Sequence, residues 1–348
     1  MEKDLKNLRL DQLTELVTSM GEKSYRAGQI FAWLSGGSVS FDEMTNVPGA
    51  LREKLKDDGF HIDRLEILKK QESKTDGTRK YLFGLNDGNT IESVFMKYKY
   101  GNSICLSSQA GCRMGCAFCA SGKNGLVRGL TPGEMLSQLL EAEADTGEKI
   151  GHIVVMGTGE PFDNYENLSA FLRIVNDKTG KNIGMRNITV STCGLVPGIQ
   201  RFSDDFPQVN LAVSLHGTTD EIRASMMPVN RKYPLNVLLS ACREYTKKTG
   251  RRITFEYTLV NGVNDREEDM HRLSGLLSGM LCHVNLIPVN PIKERSYVRS
   301  TRQAVENFKI KLEKYGINVT IRREMGSDID GACGQLRKSY IEKSYDPQ

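Results

Sequence analysis

Strand-like and helix-like segments alternate over the larger, C-terminal part of the chain, and this alternation restricts the fold more than any other feature. Six strand patterns occur in order, namely SICLSS, HIVVMG, NITVST, VNLAVSL, ITFEYTLV and HVNLIPV. A helical pattern follows most of them, for example TPGEMLSQLLEAEA, and a last strand, INVTIRRE, ends the series. Repeated βα units predict a parallel sheet with right-handed crossovers. Six units favour an α/β fold of the partial (β/α)6 barrel type over a complete eightfold barrel.

Polar, cysteine-rich or glycine-rich segments directly follow most of these strands. They are the cysteine loop after the first strand, then Gly157–Pro161, Ser191–Gly194, Ser214–His216 and Asn290. In barrels and open parallel sheets, ligands bind at the C-terminal ends of the strands. We therefore expect these segments to line one common site.

The remaining sequence divides into three smaller parts. Residues 4–57 carry apolar residues at helical spacing, whereas from Arg64 the period is two, around a turn at Asn86-Asp87-Gly88. The predicted organisation begins with a helical RNA-binding accessory domain (1–60) and a linking β-segment that forms a small sheet (61–102). The partial barrel (103–325) and a C-terminal tail (326–348) follow.

Composition places the chain among ordinary globular proteins. Eight cysteines in 348 residues are too few for a disulfide scaffold. The N-terminus is charged from its second residue, unlike a secretory signal, and the longest uncharged stretch is a poor membrane span. A net charge of +4 permits an RNA partner without demanding one. We expect a soluble, cytoplasmic protein without a membrane partner.

Three cysteines in the segment GCRMGCAFCASGKNG indicate a metal centre. Cys112, Cys116 and Cys119 lie within eight residues, and a closed zinc site would need a fourth, distant ligand. In the alternative, three thiolates hold three irons of a cubane iron–sulfur cluster. The C-x3-C-x2-C spacing after a first barrel strand resembles the radical S-adenosylmethionine (SAM) superfamily. That resemblance implies a [4Fe–4S] cluster whose fourth iron is bound by SAM itself.

The segment MGTGEP, after the second strand, resembles the glycine-rich SAM motif of the same superfamily. There Gly159 would admit the methionine part of SAM close to the backbone, and Glu160 would accept hydrogen bonds from its ammonium group. Further SAM contacts are expected at other strand ends, at Ser191, Ser214, Leu215, His216 and Asn290. For each of these single residues, a turn or helix cap is an alternative interpretation.

Eight motifs in register make the resemblance specific. They are FDEMTNVP, TIESVFM, CLSSQAGCRMGCAFCASG, MGTGEP, STCGLVP, LAVSLHG, NLIPVNP and GACGQL. Together they resemble the radical-SAM adenine methyltransferases of ribosomal and transfer RNA, the RlmN type. This family methylates carbon 2 of an adenine, which is not nucleophilic, and consumes two SAM molecules per turnover.

The resemblance assigns roles to three further residues. Cys333 would receive a methyl group from the first SAM, and a deoxyadenosyl radical from the second would abstract hydrogen from that methyl. After the carbon radical adds to adenine, Glu92 would take the ring proton. Cys105 would then attack the Cys333 sulfur and form a Cys105–Cys333 disulfide. Cys105 must act as a thiolate, so we expect a lowered pKa. An outward-facing strand carboxylate is the alternative interpretation of Glu92.

The resemblance also implies partners. The substrates would be 23S rRNA, at the peptidyl-transferase centre, and an adenosine of the tRNA anticodon loop. An external one-electron donor such as flavodoxin or ferredoxin would be needed, and we expect a monomer. Basic residues at Lys247, Lys248, Arg251 and Arg252 are candidate phosphate contacts, although such runs are usually solvated faces.

Three other functions stay open at this stage. A sister family methylates carbon 8 of the same rRNA adenine and confers antibiotic resistance. The sequence Gly159-Glu160-Pro161 favours carbon 2, because the sister family tends to have Ala after Glu, whereas Ala110 departs from both families. A zinc-stabilised, non-catalytic RNA-binding protein would explain the cysteines but not Cys105 and Cys333. A radical-SAM enzyme that modifies proteins would often carry additional cysteine clusters.

Overall fold

A ten-stranded sheet organises the fold, as the computed structural model shows over the residues that it describes, 3–122, 125–289 and 297–329. In chain order, the strands of these residues are β1 (Glu66–Glu72), β2 (Arg79–Gly84), β3 (Thr90–Tyr98), β4 (Gly101–Cys105), β5 (Gln109–Gly111), β6 (Leu126–Gly129), β7 (His152–Val155), β8 (Ile188–Thr192), β9 (Asn210–Ser214), β10 (Ile253–Leu259), β11 (Cys282–Pro288) and β12 (Asn318–Ile321). The large sheet has the order β1-β2-β3-β4-β7-β8-β9-β10-β11-β12, and β5 and β6 form a separate hairpin.

Ten helices lie in the described residues, and the last seven connect the parallel strands. In chain order the helices are α1 (Leu10–Ser19), α2 (Tyr25–Gly36), α3 (Gly49–Asp57), α4 (Pro132–Thr146), α5 (Tyr165–Asn176), α6 (Val196–Asp205), α7 (Asp220–Met226), α8 (Leu235–Thr249), α9 (Glu267–Leu277) and α10 (Arg302–Lys314). Short 3-10 turns lie at Leu5–Asn7, Phe41–Glu43, Pro161–Asn164, Met185–Asn187 and Pro228–Arg231.

The parallel part of the sheet confirms the predicted barrel. Strands β4 and β7 to β12 pair in parallel and in chain order, with a helical connection at each step. Sequential order is the topology of a barrel wall, since a doubly wound sheet would reverse its order at one point. The first connecting helix, α4, begins at a capping box of Thr131 and Glu134 with Pro132 at its first position, which is why the sequence specifies its start so clearly.

The predicted linking segment does not form a small sheet of its own. Strands β1, β2 and β3 pair antiparallel and extend the large sheet beyond β4. The reason is the tight turn between β3 and β4, in which Tyr98 pairs with Gly101 and the glycine has a φ of +130°. This turn folds β3 directly onto the open edge of β4, so the main-chain hydrogen bonding continues without a break.

The two faces of the sheet differ in chemistry. Apolar side chains such as Ile104, Ile153, Val190 and Phe255 are buried on the face that packs against the helices. Strand register places the alternate residues on the other face, which we call the inner face. They include Glu92, Cys105, Ser191, Ser214, Glu256 and Asn285. Because residues paired across neighbouring strands share a face, register alone collects these polar groups on one surface.

The N-terminal helices form a module with its own buried residues, joined to α4. Leu13, Ile30 and Leu34 are buried in it. Lys6 donates a hydrogen bond to Ser137 Oγ at 2.7 Å, and Asn7 accepts one from the Gly133 backbone at 2.8 Å. Among the described residues, no helix is long and apolar enough to cross a membrane.

Gln138 on α4 is a sensitive point of the fold. Its Oε1 accepts hydrogen bonds from Ser93 Oγ at 2.6 Å and the Ser107 backbone at 2.9 Å, and its Nε2 donates to the Ser107 carbonyl at 3.0 Å. We predict that Gln138→Ala lowers the free energy of unfolding by about 2–4 kcal/mol, because it leaves buried polar groups unpaired. Urea denaturation measures this. The same substitution at exposed Gln303 of α10 should change stability by less than about 0.5 kcal/mol, and equal losses would contradict the argument.

Candidate active site

The cysteine loop lies between β5 and β6, a hairpin that the sequence did not predict. The Cys112 backbone donates to the Gly125 carbonyl at 2.8 Å, and the Ala117 backbone donates to the Met226 carbonyl at the end of α7 at 2.8 Å. A further bond of 3.2 Å joins Cys119 to Cys116 within the loop. These contacts fix the loop at both ends and in its middle, over the C-terminal ends of the parallel strands.

An apolar wall surrounds this loop. Cys193, Met226, Met227, Val260 and Val289 form a buried cluster, and Met114, Cys116 and Phe118 pack against it. The Phe118 ring meets the His216 ring edge-on, with centroids 4.6 Å apart. Phe118 therefore ties the loop to the end of β9 and helps to exclude water from the cysteines.

The loop fits an iron–sulfur cluster in its donor chemistry. Burial raises the pKa of Cys112 to about 11 and also raises that of Cys116, with the neighbouring Cys119 adding to both shifts. Coordination to iron has the opposite effect on the pKa of each thiol, because a metal-bound thiol is deprotonated. Within the described parts of the chain, no three Cys, His, Asp or Glu side chains are grouped so that they could hold a metal ion. A cubane does not require such a group, because each thiolate binds a different iron.

Glu160 is a buried carboxylate beside the cysteine loop. Its Oε1 accepts from the Phe162 backbone at 3.0 Å and from Thr192 Oγ1 at 2.7 Å, and its Oε2 accepts from the Cys193 backbone at 2.7 Å. Burial raises its pKa against the effect of these hydrogen bonds. A cationic partner would stabilise the charged form of a carboxylate whose pKa is raised by burial. Oε2 can also accept a further hydrogen bond. The residue thus fits the predicted contact with the SAM ammonium group.

The glycines before Glu160 are required by close packing within the protein, and the predicted approach of SAM to Gly159 stays a prediction. A Cβ on Gly157 would lie 2.6 Å from the Leu106 carbonyl, and a Cβ on Gly159 would lie 2.7 Å from Gln109. Gly159 also has a φ of +115°, which favours glycine. The space beside both glycines is filled by the chain that follows β4. Gln109, which sequence analysis missed, accepts from the Glu160 backbone through Oε1 at 2.8 Å.

The strand-end residues of β8 and β9 divide into two groups. Ser191 and Ser214 lie partly exposed on the inner face, consistent with the predicted ligand contacts. By contrast, the Leu215 backbone donates to the Glu256 carbonyl at 3.0 Å, and the His216 carbonyl accepts from Asn264 at 2.8 Å. These two backbone groups are therefore paired within the protein, which limits what this segment offers a ligand.

His216 is a buried, neutral imidazole. Its Nδ1 accepts a hydrogen bond of 2.8 Å from the Thr258 backbone, so the neutral ring carries its proton on Nε2. Burial, and to a lesser degree the nearby Arg223 charge, lowers its pKa to about 3. The residue also has a φ of +54°, a conformation that asparagine tolerates among non-glycine residues. His216 thus fixes the end of β9 against β10.

Arg223 on α7 connects the ends of β8 and β9, and sequence analysis missed it. Its guanidinium is fully buried and donates to the Cys193 carbonyl at 2.8 Å, the Ser214 carbonyl at 3.2 Å and Asn230 Oδ1 at 2.9 Å. One buried cation thereby satisfies carbonyl groups of two adjacent strand ends. The helical pattern around it gave no signal, since an arginine there usually faces solvent.

Glu92 and Cys105 lie together on the inner face. Glu92 is buried and forms an ion pair with Lys80, with Oε2 3.3 Å from Nζ. This excludes the outward-facing alternative for Glu92. Burial raises the pKa of Cys105, although the Arg322 charge, the Met156 backbone and Lys80 oppose the shift. The expected lowering of the Cys105 pKa is therefore wrong for this state, because desolvation outweighs the nearby positive charges.

Two predicted site residues, Asn290 and Cys333, lie outside the described residues. The chain just before Cys333 is held beside the β1–β2 turn. Asp328 accepts from Ser73 Oγ at 2.5 Å and from the Lys74 backbone at 2.8 Å, and the Gly326 backbone donates to Asp76 at 3.0 Å. The described chain therefore ends close to the strand that carries Lys80.

The basic run at the C-terminal end of α8 does not line this site. Lys248 pairs with Asp204, and Arg251 donates to Asn210 at 2.6 Å. The run precedes Ile253, at the N-terminal end of β10, whereas the cysteine loop lies over the C-terminal ends. Any phosphate contact made by these residues would be on the opposite side of the barrel.

Comparison with known proteins identifies the family. The radical SAM superfamily matches residues 106–274, and the ribosomal RNA large subunit methyltransferase N-terminal domain matches residues 3–59. A probable dual-specificity RNA methyltransferase RlmN from Lachnospira eligens is 55% identical over 97% of this chain and 97% of its own length. One from Clostridium novyi is 52% identical over 98% of this chain and 100% of its own length. This chain belongs to the RlmN family of radical-SAM RNA methyltransferases.

A solved structure supports the same conclusion. A radical SAM methyltransferase from Sphaerobacter thermophilus has a TM-score of 0.90 and 43% identity, and the match covers 95% of this chain and 98% of that one. The predicted family, barrel fold and enzyme class are confirmed. The cofactors of an RlmN-family member are a [4Fe–4S] cluster and SAM, as predicted. The roles of individual site residues stay predictions.

Replacement of Arg223 should destabilise the barrel. We predict that Arg223→Lys lowers the free energy of unfolding by about 2–4 kcal/mol, because one ammonium cannot satisfy both strand ends and Asn230. Urea denaturation of the full chain tests this. Arg272→Lys on α9, where the arginine pairs with Glu268 at the surface, is the matched control and should cost less than about 0.5 kcal/mol. Similar losses for both would contradict a special role for Arg223.

His216 should make stability depend on pH. Its folded pKa, about 3, lies below the ordinary value of 6.5, so the unfolded state binds the proton more readily. The contribution of the neutral His216 ring to the free energy of unfolding is constant above about pH 6.5. It is lost as the pH falls from 6.5 towards 3. Between pH 7 and pH 5.5 the loss from this residue is about 1.3 kcal/mol. His216→Asn retains an acceptor and removes the titration, so its stability should fall less over this interval when urea denaturation is compared. An equal fall in both proteins would contradict the assignment.

Proposed function

We propose that this protein methylates carbon 2 of an adenosine in 23S rRNA, at the peptidyl-transferase centre, and of an adenosine in the tRNA anticodon loop. The observation that carries the proposal is the shared inner face of Glu92 and Cys105, next to the strand ends under the cysteine loop. Two RNA substrates are supported by the relatives, which are named probable dual-specificity RNA methyltransferases.

Cofactor binding follows from the geometry of the loop and the strand ends. Cys112, Cys116 and Cys119 would hold the [4Fe–4S] cluster within the apolar wall, and Glu160 would orient SAM through its ammonium group. When bound, SAM and the cluster would supply the methyl carbon, the radical that activates it and the acceptor for the single electron that the ring gives up with its proton. The protein excludes water through Phe118 and the methionines around it.

The remaining chemistry belongs to side chains of the inner face and the tail. In this proposal Cys333 carries the methyl carbon, and two SAM molecules are consumed per turnover. Glu92 takes the ring proton as a carboxylate and becomes a carboxylic acid. The Cys105 thiolate attacks the Cys333 sulfur, which forms the S–S bond and breaks the S–C bond, and the released base takes up a proton as its methyl group is completed. Because burial raises the pKa of Cys105, bound substrate or a neighbouring positive charge must favour its thiolate form when it attacks Cys333.

The proposal extends to the cellular setting. We propose a cytoplasmic monomer, because ribosomal and transfer RNA are cytoplasmic substrates, and an external one-electron donor of the flavodoxin or ferredoxin type. Target adenosines must be unstacked or in loops, since carbon 2 is not accessible inside a duplex.

A nucleoside assay tests the reaction directly. The anaerobically purified protein, reconstituted with iron and sulfide, is incubated with SAM, a reductant and unmodified 23S rRNA or tRNA. Digested nucleosides are then compared by mass spectrometry with 2-methyladenosine and 8-methyladenosine. We predict 2-methyladenosine from both RNAs, and its loss to below about 1% in Cys119→Ala and Cys333→Ala.

Matched variants and alternative products make the test decisive. Cys282→Ala, at a buried thiol of β11, should retain activity within about threefold. Formation of 8-methyladenosine would move the protein to the sister family. Stoichiometric zinc without a cluster or a methylated product would favour the RNA-binding alternative.

A further inference from the structure

Lys80 has no role in the function proposed above, although it is a completely buried lysine. Its side chain is 0% exposed and that of its partner Glu92 is 3% exposed, with Nζ 3.3 Å from Oε2. Lysine is among the residues least often buried, and removal of an ion pair from water costs several kcal/mol per ion. A well-packed apolar pair would give similar or greater stability in this place. The position of the pair therefore calls for a functional explanation.

Strand register places Lys80 in the same group as the two reactive residues. Lys80 on β2 pairs with Val94 on β3, and Val94 pairs with Cys105 on β4. Glu92, two residues before Val94, is a diagonal neighbour of both Lys80 and Cys105. Residues opposite or diagonal to one another on adjacent antiparallel strands share a face and interact. One cation, one carboxylate and one thiol are thus held together by main-chain hydrogen bonds.

The opposite face of β3 confirms this orientation. Ser93 lies between Glu92 and Val94 and bonds to Gln138 of α4 on the helix-covered side. Ser107 Oγ donates to the Glu92 carbonyl at 2.6 Å and fixes the backbone at the base of this side chain. The backbone at Glu92 is therefore firmly held, as is required for a side chain that must be aimed at a substrate.

We propose that Lys80 is a positioning residue of the active site, whose ammonium group aims the Glu92 carboxylate and provides the positive charge beside which Cys105 reacts as a thiolate. This inference rests on the proposed roles of Glu92 and Cys105. In this role Lys80 adds no atom or electron to the reaction. It serves two successive steps, since both the proton acceptor and the attacking sulfur are anions.

Several charges besides Lys80 act on Cys105. Arg322, which follows β12, opposes the effect of burial on its pKa, whereas Glu92 reinforces that effect, and the Tyr98 hydroxyl is also electrostatically coupled to Cys105. Removal of Lys80 should therefore shift the titration of Cys105 without abolishing it. Removal of the Glu92 charge should shift it in the opposite direction. These opposite signs provide a test that does not depend on RNA methylation.

The pH dependence of Cys105 alkylation measures both effects. The reconstituted full-length protein is reduced and treated anaerobically with iodoacetamide from pH 7 to pH 11, and the initial rate of Cys105 alkylation is quantified by mass spectrometry of its peptide. We predict that Lys80→Met raises the midpoint by about half a pH unit or more, and that Glu92→Gln lowers it. Lys80→Arg retains the charge and should stay within about 0.2 unit of the unmodified protein.

A matched control separates this effect from the loss of any lysine ion pair. Lys97, on the neighbouring strand β3, pairs with Glu148 at the surface, so Lys97→Met should leave the midpoint unchanged. In the nucleoside assay, Lys80→Met should lower the single-turnover rate roughly 100-fold and Lys97→Met less than twofold. The Lys80→Met rate should also show a pH optimum displaced upwards, which a merely structural role would not produce.

The outcomes distinguish this inference from the proposed function. An unchanged midpoint in both Lys80→Met and Glu92→Gln would overturn the role of Lys80, even if the unmodified protein makes 2-methyladenosine. Opposite shifts without any 2-methyladenosine from the unmodified protein would uphold the electrostatic coupling and overturn the proposed reaction. If Lys80→Met does not fold, as circular dichroism would show, the Glu92→Gln and Lys80→Arg midpoints decide the question.

Discussion

The main-chain register of strands β2 to β4 and β7 is the constraint on which the site depends. Because side chains alternate between faces, a shift of one residue between β3 and β4 would turn Glu92 and Val94 towards the helices and Ser93 inwards. The pairing of Val94 with Cys105, and of Cys105 with Val154, is therefore what collects reactive groups from the antiparallel and parallel parts of one sheet. Gln138 secures this register from the helix side by its bonds to Ser93 and Ser107.

The strand ends are fixed by buried polar groups instead of by regular pairing. Glu160 accepts from the end of β8, and Arg223 donates to the ends of β8 and β9. These opposite charges act on the same short segment, since Glu160 binds the Cys193 amide and Arg223 binds its carbonyl. Each charge satisfies backbone groups that would otherwise be buried without a partner. These contacts hold the strand ends beside the predicted SAM contacts in place.

Several features were predictable because they depend on local pattern. The alternation of strands and helices determined the barrel, and the capping box at Thr131 and Glu134 determined the start of α4. The cysteine spacing and the glycine-rich segment identified the cofactor class. Other features were not predictable, because they depend on which distant residues meet. The β1 to β3 extension, the hairpin around the cysteine loop and the contacts of Gln109 with Glu160 belong to this group.

Sequence by itself determined the family and the order of the elements and predicted which side chains react, since these follow from residue type and spacing. Only the tertiary structure decided their environment. It showed that Glu92 is buried against Lys80, that burial raises the pKa of Cys105 instead of lowering it, and that Arg223 lies inside the protein. The physical reason is that desolvation and charge pairing depend on the groups that surround a side chain in space, and neighbours in the chain do not specify them.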